Sequence, residues 1–221
     1  MLNKSADYEA AREKLRQAEI ALKEQREAVA ALRRELPQGP ALENYRFVEG
    51  PRALNAGDGP EAEVALDELF EGGVSQLAVI HFMYKDGDEA PCPMCSMWAD
   101  GYDAVIPHLQ QHMPVVMVAK APVAKLRAHA RSRGWSNMRY LSSGGSSFNA
   151  DFGVESPDGA QMPGFSVLTT DPTGEVRQFY TGYAMNGEGH FRGLDLLSPV
   201  WNILDLTPQG RGEWFPSLNY A

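Results

Sequence analysis

Residues 76–95 read QLAVIHFMYKDGDEAPCPMC, and this stretch decides the fold. The run from Gln76 to Tyr84 is almost uninterruptedly apolar, which is typical of a strand covered on both faces of a sheet. Lys85 to Pro91 is polar and contains Asp and Gly, which indicates a loop. The only two cysteines of the chain, Cys92 and Cys95, follow at the start of a helical segment. The stretch therefore predicts a strand, a loop and a helix that begins at a cysteine pair.

The C-x-x-C spacing places both sulfurs at the N-terminal end of that helix. Unpaired backbone N–H groups and the positive end of the helix dipole stabilise a thiolate there, which lowers a cysteine pKa from about 8.5 toward neutrality. Cys92 can then attack a disulfide, and Cys95 can resolve the mixed disulfide. In a cytosolic protein, C-x-x-C beside a βαβ pattern indicates a thioredoxin-like fold. The alternative is a pair that serves only as small buried apolar residues.

A zinc site is a second alternative, because Cys92, Cys95, His108 and His112 have the ligand spacing of a small zinc finger. The surroundings do not fit. Pro107 precedes the first histidine and would disturb the helix that must present it. The segment between the ligands has no Lys or Arg to contact DNA. We therefore expect a redox dithiol that uses no metal and no cofactor.

The rest of the chain predicts further elements in an α/β order. In chain order, they are an irregular connector at 37–63, a short helix at 64–70, a strand at 114–121, a helix at 122–134, a hairpin at 165–180 that turns at 171–174, and a helix at 194–206 interrupted near Pro199. Together with the strand at 76–84, this order predicts a thioredoxin-like mixed sheet with helices on both faces.

The N-terminal segment carries a heptad pattern. From Tyr8 to Leu36, apolar residues recur in steps of three and four, and Ser5 is the expected N-cap. We assign residues 1–39 to a helical arm and residues 40–221 to the thioredoxin-like domain. The arm either packs along its own domain or forms a coiled coil with a second chain. Because a seam of about four heptads exceeds the width of a compact domain, we favour a homodimer.

Composition limits the partners. The formal net charge of −9 opposes nucleic-acid binding, which needs a clustered basic surface. No apolar run reaches the roughly 18–20 residues that a membrane span needs, and the N-terminus has no apolar signal region. We expect a cytoplasmic protein that acts on a thiol or disulfide, either a small molecule or a protein, with no nucleic-acid or membrane partner.

Several segments together resemble a known family. HFMY at 81–84, CPMCSMWADGYDAVIPHL at 92–109, AKAPVAKLRAHARSRGW at 119–135 and GFSVLTTDPTGEV at 164–176 are similar to a bacterial family catalogued as domain of unknown function number eight-nine-nine. Its members are described as predicted dithiol-disulfide oxidoreductases with a thioredoxin-like fold. The resemblance implies that Cys92 and Cys95 form the redox pair. The dipeptide between them, Pro93-Met94, differs from the Gly-Pro of thioredoxins, which should alter the redox potential.

His81 is assigned to the site by comparison with thioredoxins. Alignment of the strand at 76–84 on the corresponding thioredoxin strand puts His81 where that fold keeps a buried acid. His81 is therefore predicted to exchange a proton with Cys95. A hydrogen-bonded core histidine is the alternative.

Four more residues are predicted to support the site. Pro91 and Pro93 flank Cys92, and Trp98 lies one turn past Cys95, where it either covers the disulfide or packs into the core. Thioredoxins keep a cis-proline against the active site, and Pro163 is the nearest equivalent here. The polar loop at 181–193 is predicted to lie on the substrate side.

A different function is also open. The chain would then be a non-catalytic thioredoxin-like protein that binds partners and dimerises through its N-terminal helix. The carboxylates of Asp86, Asp88 and Glu89 favour this interpretation, because negative charges in the loop before the cysteines oppose thiolate formation.

Overall fold

The structure, a computed structural model, describes residues 4–185 and 192–219. The chain divides between Gly39 and Pro40 into two compact units. The first contains a single helix, and the second is a mixed α/β domain. Within the described ranges, no helix has both the length and the apolar character needed to cross a membrane.

Helix α1, Ala6–Arg34, belongs to the first unit. Ser5 precedes it in an extended conformation, and its Oγ accepts a hydrogen bond from the backbone N–H of Tyr8 at 3.2 Å, which is the predicted N-cap. Acidic side chains in the first turn and basic side chains in the last turn complement the helix dipole. With 29 residues, the helix is about 43 Å long.

The second unit is built on a seven-stranded sheet. Its strands are β1 (Arg46–Glu49), β2 (Ala62–Ala65), β3 (Gln76–His81), β4 (Val115–Ala119), β5 (Arg139–Ser142), β6 (Gly164–Thr170) and β7 (Val176–Tyr183). Their order across the sheet is β2-β1-β5-β4-β3-β6-β7. The central strands β3, β4 and β5 are parallel, and all other neighbouring strands are antiparallel.

Helices cover both faces of this sheet. They are α2 (Pro93–Leu109), α3 (Val123–Arg133), α4 (Phe148–Asp151) and α5 (Pro199–Leu204), with short 3₁₀ turns at Leu54–Ala56, Asp67–Leu69 and Asp195–Leu197. The predicted fold class, a thioredoxin-like mixed sheet flanked by helices with an N-terminal helix, is confirmed.

Strand β3 separates two cores. Ala78 and Ile80 pack with residues of α2, α3 and α5, whereas Leu77 and Val79 pack on the opposite face with residues that include Phe148 of α4. Every residue of β4, and every residue of β3 after the first, is buried. Burial on both faces explains why these two strands are continuous apolar runs rather than alternating ones.

Two predictions for the middle of the chain are wrong. Residues 37–63 are not merely an irregular connector, because they contain β1 and the beginning of β2. Residues 64–70 complete β2 and form a 3₁₀ turn instead of an α-helix. Both strands have only four residues, which is too short for an alternating pattern to stand out in the sequence.

Pro107 lies inside α2 and, although it was expected to disturb the helix, does not end it. Proline has no N–H, so the carbonyl of Asp103, four residues earlier, loses its helical partner. Asn137 replaces that partner, because its Nδ2 donates to the Asp103 carbonyl at 3.0 Å. The Asp103 carboxylate in turn accepts backbone N–H groups from Ser136 and Asn137. The chain that follows α3 thus supports α2 at the point where proline interrupts its hydrogen bonds.

Replacing Asn137 with Ala removes this donor and leaves the carbonyl of the buried residue Asp103 without its partner. We expect the free energy of unfolding to fall by about 1–3 kcal/mol, measured by urea denaturation. Pro107→Ala restores a backbone N–H that can donate to the Asp103 carbonyl. In that background, Asn137→Ala should therefore lower the free energy of unfolding by less. Equal costs in both backgrounds would contradict this role of Asn137.

Candidate active site

The cysteine pair lies between the end of β3 and the start of α2. The N–H of Cys92 donates to the carbonyl of Met83 at 3.1 Å, which holds the start of α2 against the chain leaving β3. Cys92 is the N-cap residue of α2, and Pro93 lies in its first turn. Proline suits this position because its missing N–H would have no intrahelical partner. The N–H of Ser96 donates to the Cys92 carbonyl at 3.1 Å and closes the first turn.

The thiol of Cys92 is half-buried and acidic for a cysteine. Hydrogen bonding from the Cys95 side chain is the largest cause that lowers the pKa of Cys92 to about 6. Burial opposes this effect, and the backbone N–H groups of Cys95 and Met94 add to it. The direction of the shift agrees with the expectation for a cysteine at a helix N-terminus, but the main donor is the Cys95 thiol, and the backbone donors contribute less. At neutral pH the Cys92 sulfur is therefore mostly anionic.

Cys95 has the opposite properties. It is only 3% exposed, and both cysteines are free thiols. Burial raises the pKa of Cys95 well above its usual range, and the neighbouring Cys92 raises it further. Two sulfurs one helical turn apart therefore differ in ionisation: Cys92 loses its proton first, and Cys95 keeps it.

Tyr102 is a neighbour of Cys95 that the sequence analysis missed. It lies seven residues after Cys95, two turns along the same face of α2. Its hydroxyl is buried and has no hydrogen-bond partner among the described residues. Burial is the main cause that raises the pKa of Tyr102, and a thiolate at Cys95 would raise it further. Both side chains belong to the same buried core. The seven-residue spacing is the signal that could have identified it.

His81, by contrast, lies on the other face of the sheet. Its neighbours in β3 and beyond, Ile80 and Phe82, pack in the same core as Cys95. Because side chains alternate along a strand, the His81 ring points to the opposite core. There it lies 5.6 Å from the ring centroid of Phe148, and its Nε2 is 2.7 Å from Ser166 Oγ.

The predicted proton exchange between His81 and Cys95 is not supported by this arrangement, because the sheet lies between them. Complete burial lowers the pKa of His81 to about 3, so the ring is neutral at physiological pH. The alternative interpretation, a hydrogen-bonded core histidine, describes its contacts. Aligning two strands by sequence cannot reveal the face on which a side chain lies, because an error of one residue in the alignment moves the side chain to the opposite face.

The other predicted supporting residues lie around Cys92. Pro91 is buried directly before it. Trp98 and Pro163 line a cleft that also contains Cys92. Trp98 is almost fully buried and packs edge-on against Trp201 at 5.7 Å. Pro163 immediately precedes β6, and its peptide bond is trans, since the cis bond found in the described chain precedes Pro60.

This cleft, called the Cys92 cleft below, has a volume of about 460 Å³. Its floor and walls are largely apolar. Four methionines, Met83, Met94, Met162 and Met185, line it. Methionines scattered over a hundred residues form no local motif, so the sequence did not point to them.

The C-terminal segment completes the cleft. Trp201 of α5 and the partly exposed Trp214 and Phe215 line it together with Arg211 and Glu213. None of these residues was assigned to the site from the sequence. The aromatic pair Trp214-Phe215, in a segment without periodicity, is the one signal that could have suggested a surface for binding.

The histidines of the zinc alternative lie at the wrong place for that site. Cys95 is in the first turn of α2, whereas His108 is in the last turn, and His112 follows the helix. Thirteen residues of helix separate Cys95 and His108 by about 20 Å, so one ion cannot contact both. Among the described residues, no group of three or more His, Cys, Asp or Glu side chains could hold a metal ion.

In the acidic loop before the cysteines, two of the three carboxylates point into solvent. Asp86 and Glu89 are exposed, where water and salt screen their charges. Lys125 lies against this loop, with its Nζ donating to the Asp88 carbonyl at 2.7 Å. The expected opposition of this loop to thiolate formation therefore does not prevent a lowered Cys92 pKa. Of the polar loop at 181–193, residues 186–191 lie outside the described residues.

Solved structures with the same architecture define the class of fold. The Plasmodium falciparum antioxidant protein (1-Cys peroxiredoxin) matches with a TM-score of 0.52 and 13% identity, covering 67% of this chain and 84% of that chain. Enterococcus faecalis AhpC matches with a TM-score of 0.50 and 14% identity, covering 81% of this chain and 98% of that chain. A putative thioredoxin reductase from Burkholderia cenocepacia matches with a TM-score of 0.50 and 13% identity, covering 70% of this chain and 89% of that chain. At these identities the similarity establishes the thioredoxin-like fold alone.

The family is established by the sequence. Residues 1–220 match the profile of the family described as "Bacterial protein of unknown function (DUF899)", and the chain belongs to that family. This confirms the resemblance noted from the segments around the cysteine pair. No curated protein matches the chain significantly.

The ionisation of Cys92 can be measured directly. We expect its alkylation by iodoacetamide to rise with pH around a midpoint near 6, rather than near the usual value of about 8.5. Since the Cys95 side chain is the largest cause of the low pKa, Cys95→Ala should move the midpoint upward. Cys95→Ser keeps a donor and should move it less. A wild-type midpoint near 8.5 would rule out this environment for Cys92.

Proposed function

We propose that the protein is a thiol-disulfide oxidoreductase in which Cys92 is the nucleophile and Cys95 the resolving thiol. The observation that carries the proposal is the opposite ionisation of two adjacent free cysteines. The accessible one has a pKa lowered to about 6, and the buried one has a pKa raised well above its usual range. A dithiol enzyme needs this asymmetry, because one sulfur must attack as a thiolate while the other waits with its proton.

The reaction proceeds in two exchanges. The Cys92 thiolate attacks one sulfur of a substrate disulfide, the substrate S–S bond breaks, and one half leaves as a thiolate that takes a proton from water. A mixed disulfide between Cys92 and the other half remains. The Cys95 thiol then gives its proton to water, and its sulfur attacks the Cys92 sulfur. The bond between Cys92 and the substrate breaks, the second half leaves as a thiolate, and a Cys92–Cys95 disulfide remains. Two electrons have moved from the dithiol to the substrate, and no cofactor is needed.

Tyr102 has a role in the second exchange. Cys95 must form a thiolate in a buried environment, where an unsolvated anion is costly. The Tyr102 hydroxyl lies in the same buried core as Cys95 and has no hydrogen-bond partner among the described residues. It can donate to the forming thiolate and reduce that cost. Because the pKa of Tyr102 is raised, the hydroxyl keeps its own proton and acts as a hydrogen-bond donor.

A glutathione redox titration tests the proposal. We expect Cys92 and Cys95 to interconvert reversibly between two thiols and one internal disulfide, followed by mass spectrometry of peptides that span residues 92–95. Cys92→Ser should abolish disulfide reduction, whereas Cys95→Ser should accumulate a mixed disulfide on Cys92. If no internal disulfide forms at any glutathione ratio, Cys92 and Cys95 are not a redox pair.

A second candidate function is a thioredoxin-like binding protein that dimerises through residues 1–39, with residues 40–221 as a separate domain. Its support is the length and pattern of α1. At 29 residues it carries the heptad seam, and ion pairs such as Arg16–Glu13 at 2.7 Å lie on its surface. A coiled coil with a second chain would bury the seam. Dimerisation is also compatible with the redox function.

Seam substitution tests the dimer. We expect full-length protein at micromolar concentration to have the mass of a dimer by light scattering. Leu22→Glu places a charge in the seam and should produce a monomer. Ile20→Glu is the matched control, because two residues along a helix turn it by about 200°, to the side away from the seam. A wild-type monomer, or equal effects of the two substitutions, would refute a coiled coil.

A further inference from the structure

The Cys92 cleft contains several buried hydrogen-bond donors that lack acceptors. The Nη1 of Arg211 is buried and has no hydrogen-bond partner among the described residues. The same is true of the indole Nε1 atoms of Trp98 and Trp201. All three side chains line the cleft, and both tryptophans are at most 5% exposed. Buried donors are normally satisfied, so their concentration at one cavity indicates a missing acceptor.

Arg211 carries a full positive charge into this apolar setting. Its guanidinium carbon lies over the Trp201 ring, 4.4 Å from the centroid, in a cation–π contact, and its Nη1 still lacks an acceptor. Glu213 also lines the cleft but is exposed, and the described part of the chain contains no ion pair between it and Arg211. An anionic acceptor is the group that best satisfies a desolvated guanidinium, and a carboxylate matches its fork of N–H donors.

The remaining lining favours a hydrophobic body for the same ligand. Methionine side chains are flexible and polarizable and adapt to aromatic or irregular apolar groups. Trp214 and Phe215 are partly exposed, at 48% and 61%, and offer ring faces at the edge of the cleft. The volume of about 460 Å³ lies within the usual range for small-molecule sites, roughly 300–1,000 Å³.

We propose that the Cys92 cleft is the substrate site and takes a small disulfide with an apolar or aromatic arm that carries a carboxylate. The carboxylate binds Arg211, the apolar arm packs on the methionines and aromatic rings, and a substrate sulfur meets Cys92. This assignment rests on the thiol-disulfide exchange proposed above.

Reaction rates with three disulfides test the preference. The probes are 5,5′-dithiobis(2-nitrobenzoate), which is aromatic with carboxylates, 4,4′-dithiodipyridine, which is aromatic and neutral, and oxidised glutathione, which has carboxylates but no aromatic group. Each rate constant for reduced protein is divided by the rate constant for free N-acetylcysteine at the same pH. We expect the largest normalised value for the aromatic carboxylate.

Substitutions assign that preference to residues. Arg211→Gln should lower the normalised rate with the aromatic carboxylate by about tenfold or more and leave the neutral probe nearly unchanged, because only the former loses a charge-assisted hydrogen bond. Arg211→Lys should retain part of the rate. Arg46→Gln, which removes an exposed charge on β1, should have no effect. Trp214→Ala should slow both aromatic probes alike.

A binding measurement separates the two proposals. Calorimetry with the Cys92→Ser variant compares 3-phenylpropanoate with its neutral amide, neither of which can exchange disulfides. Tighter binding of the carboxylate, lost in Arg211→Gln, supports the ligand site even if redox turnover fails. Disulfide exchange without any carboxylate preference, in both the rates and the binding, overturns the ligand class and leaves the exchange chemistry intact.

Discussion

The hydrogen bond from the Cys92 N–H to the Met83 carbonyl, 3.1 Å long, is the contact on which the site depends. It fixes the first turn of α2 to the end of β3, so Cys92 lies at a helix N-terminus while Cys95, one turn later, faces the core. The two sulfurs are close in sequence but differ in burial, since Cys92 is half-buried and Cys95 is buried. Backbone and thiol donors stabilise one thiolate, whereas burial destabilises the other. The proposed division of roles follows from that difference.

The helix that carries the pair must be held firmly for this asymmetry to persist. Asn137 satisfies the carbonyl that Pro107 leaves free in α2. Nearer the cysteines, the Nε1 of Trp135 donates to Asp100 Oδ1 at 2.8 Å. Both contacts join α2 to the segment that follows α3. The helix therefore tolerates its proline, because Asn137 replaces the one hydrogen bond that is lost and Trp135 adds a second contact to the same segment.

The sheet assigns different chemistry to its two faces. On one face, Cys95 and Tyr102 belong to the buried core against which Cys92 packs. On the other face, His81, Ser166 and Thr181 form a buried hydrogen-bonded chain, with Ser166 Oγ 2.7 Å from His81 and 2.8 Å from Thr181. That chain stabilises the packing of β3, β6 and β7 and has no path to the sulfurs. The cleft, in contrast, is lined by the acidic thiol of Cys92 and by Arg211, whose Nη1 has no hydrogen-bond partner among the described residues, and the proposed ligand chemistry rests on these two groups.

The sequence by itself determined the order of elements around the cysteine pair. Continuous apolar runs such as residues 76–84 and the C-x-x-C at a helix start are local patterns, and local patterns are set by neighbours along the chain. The strands β1 and β2 were missed because four residues carry too little periodicity. Tertiary structure alone decided the face on which His81 lies, the partner that lets α2 pass Pro107, and the meeting of Arg211 and Trp214 with Cys92. These depend on register and on contacts between segments that lie from 34 to more than a hundred residues apart, which no local pattern records.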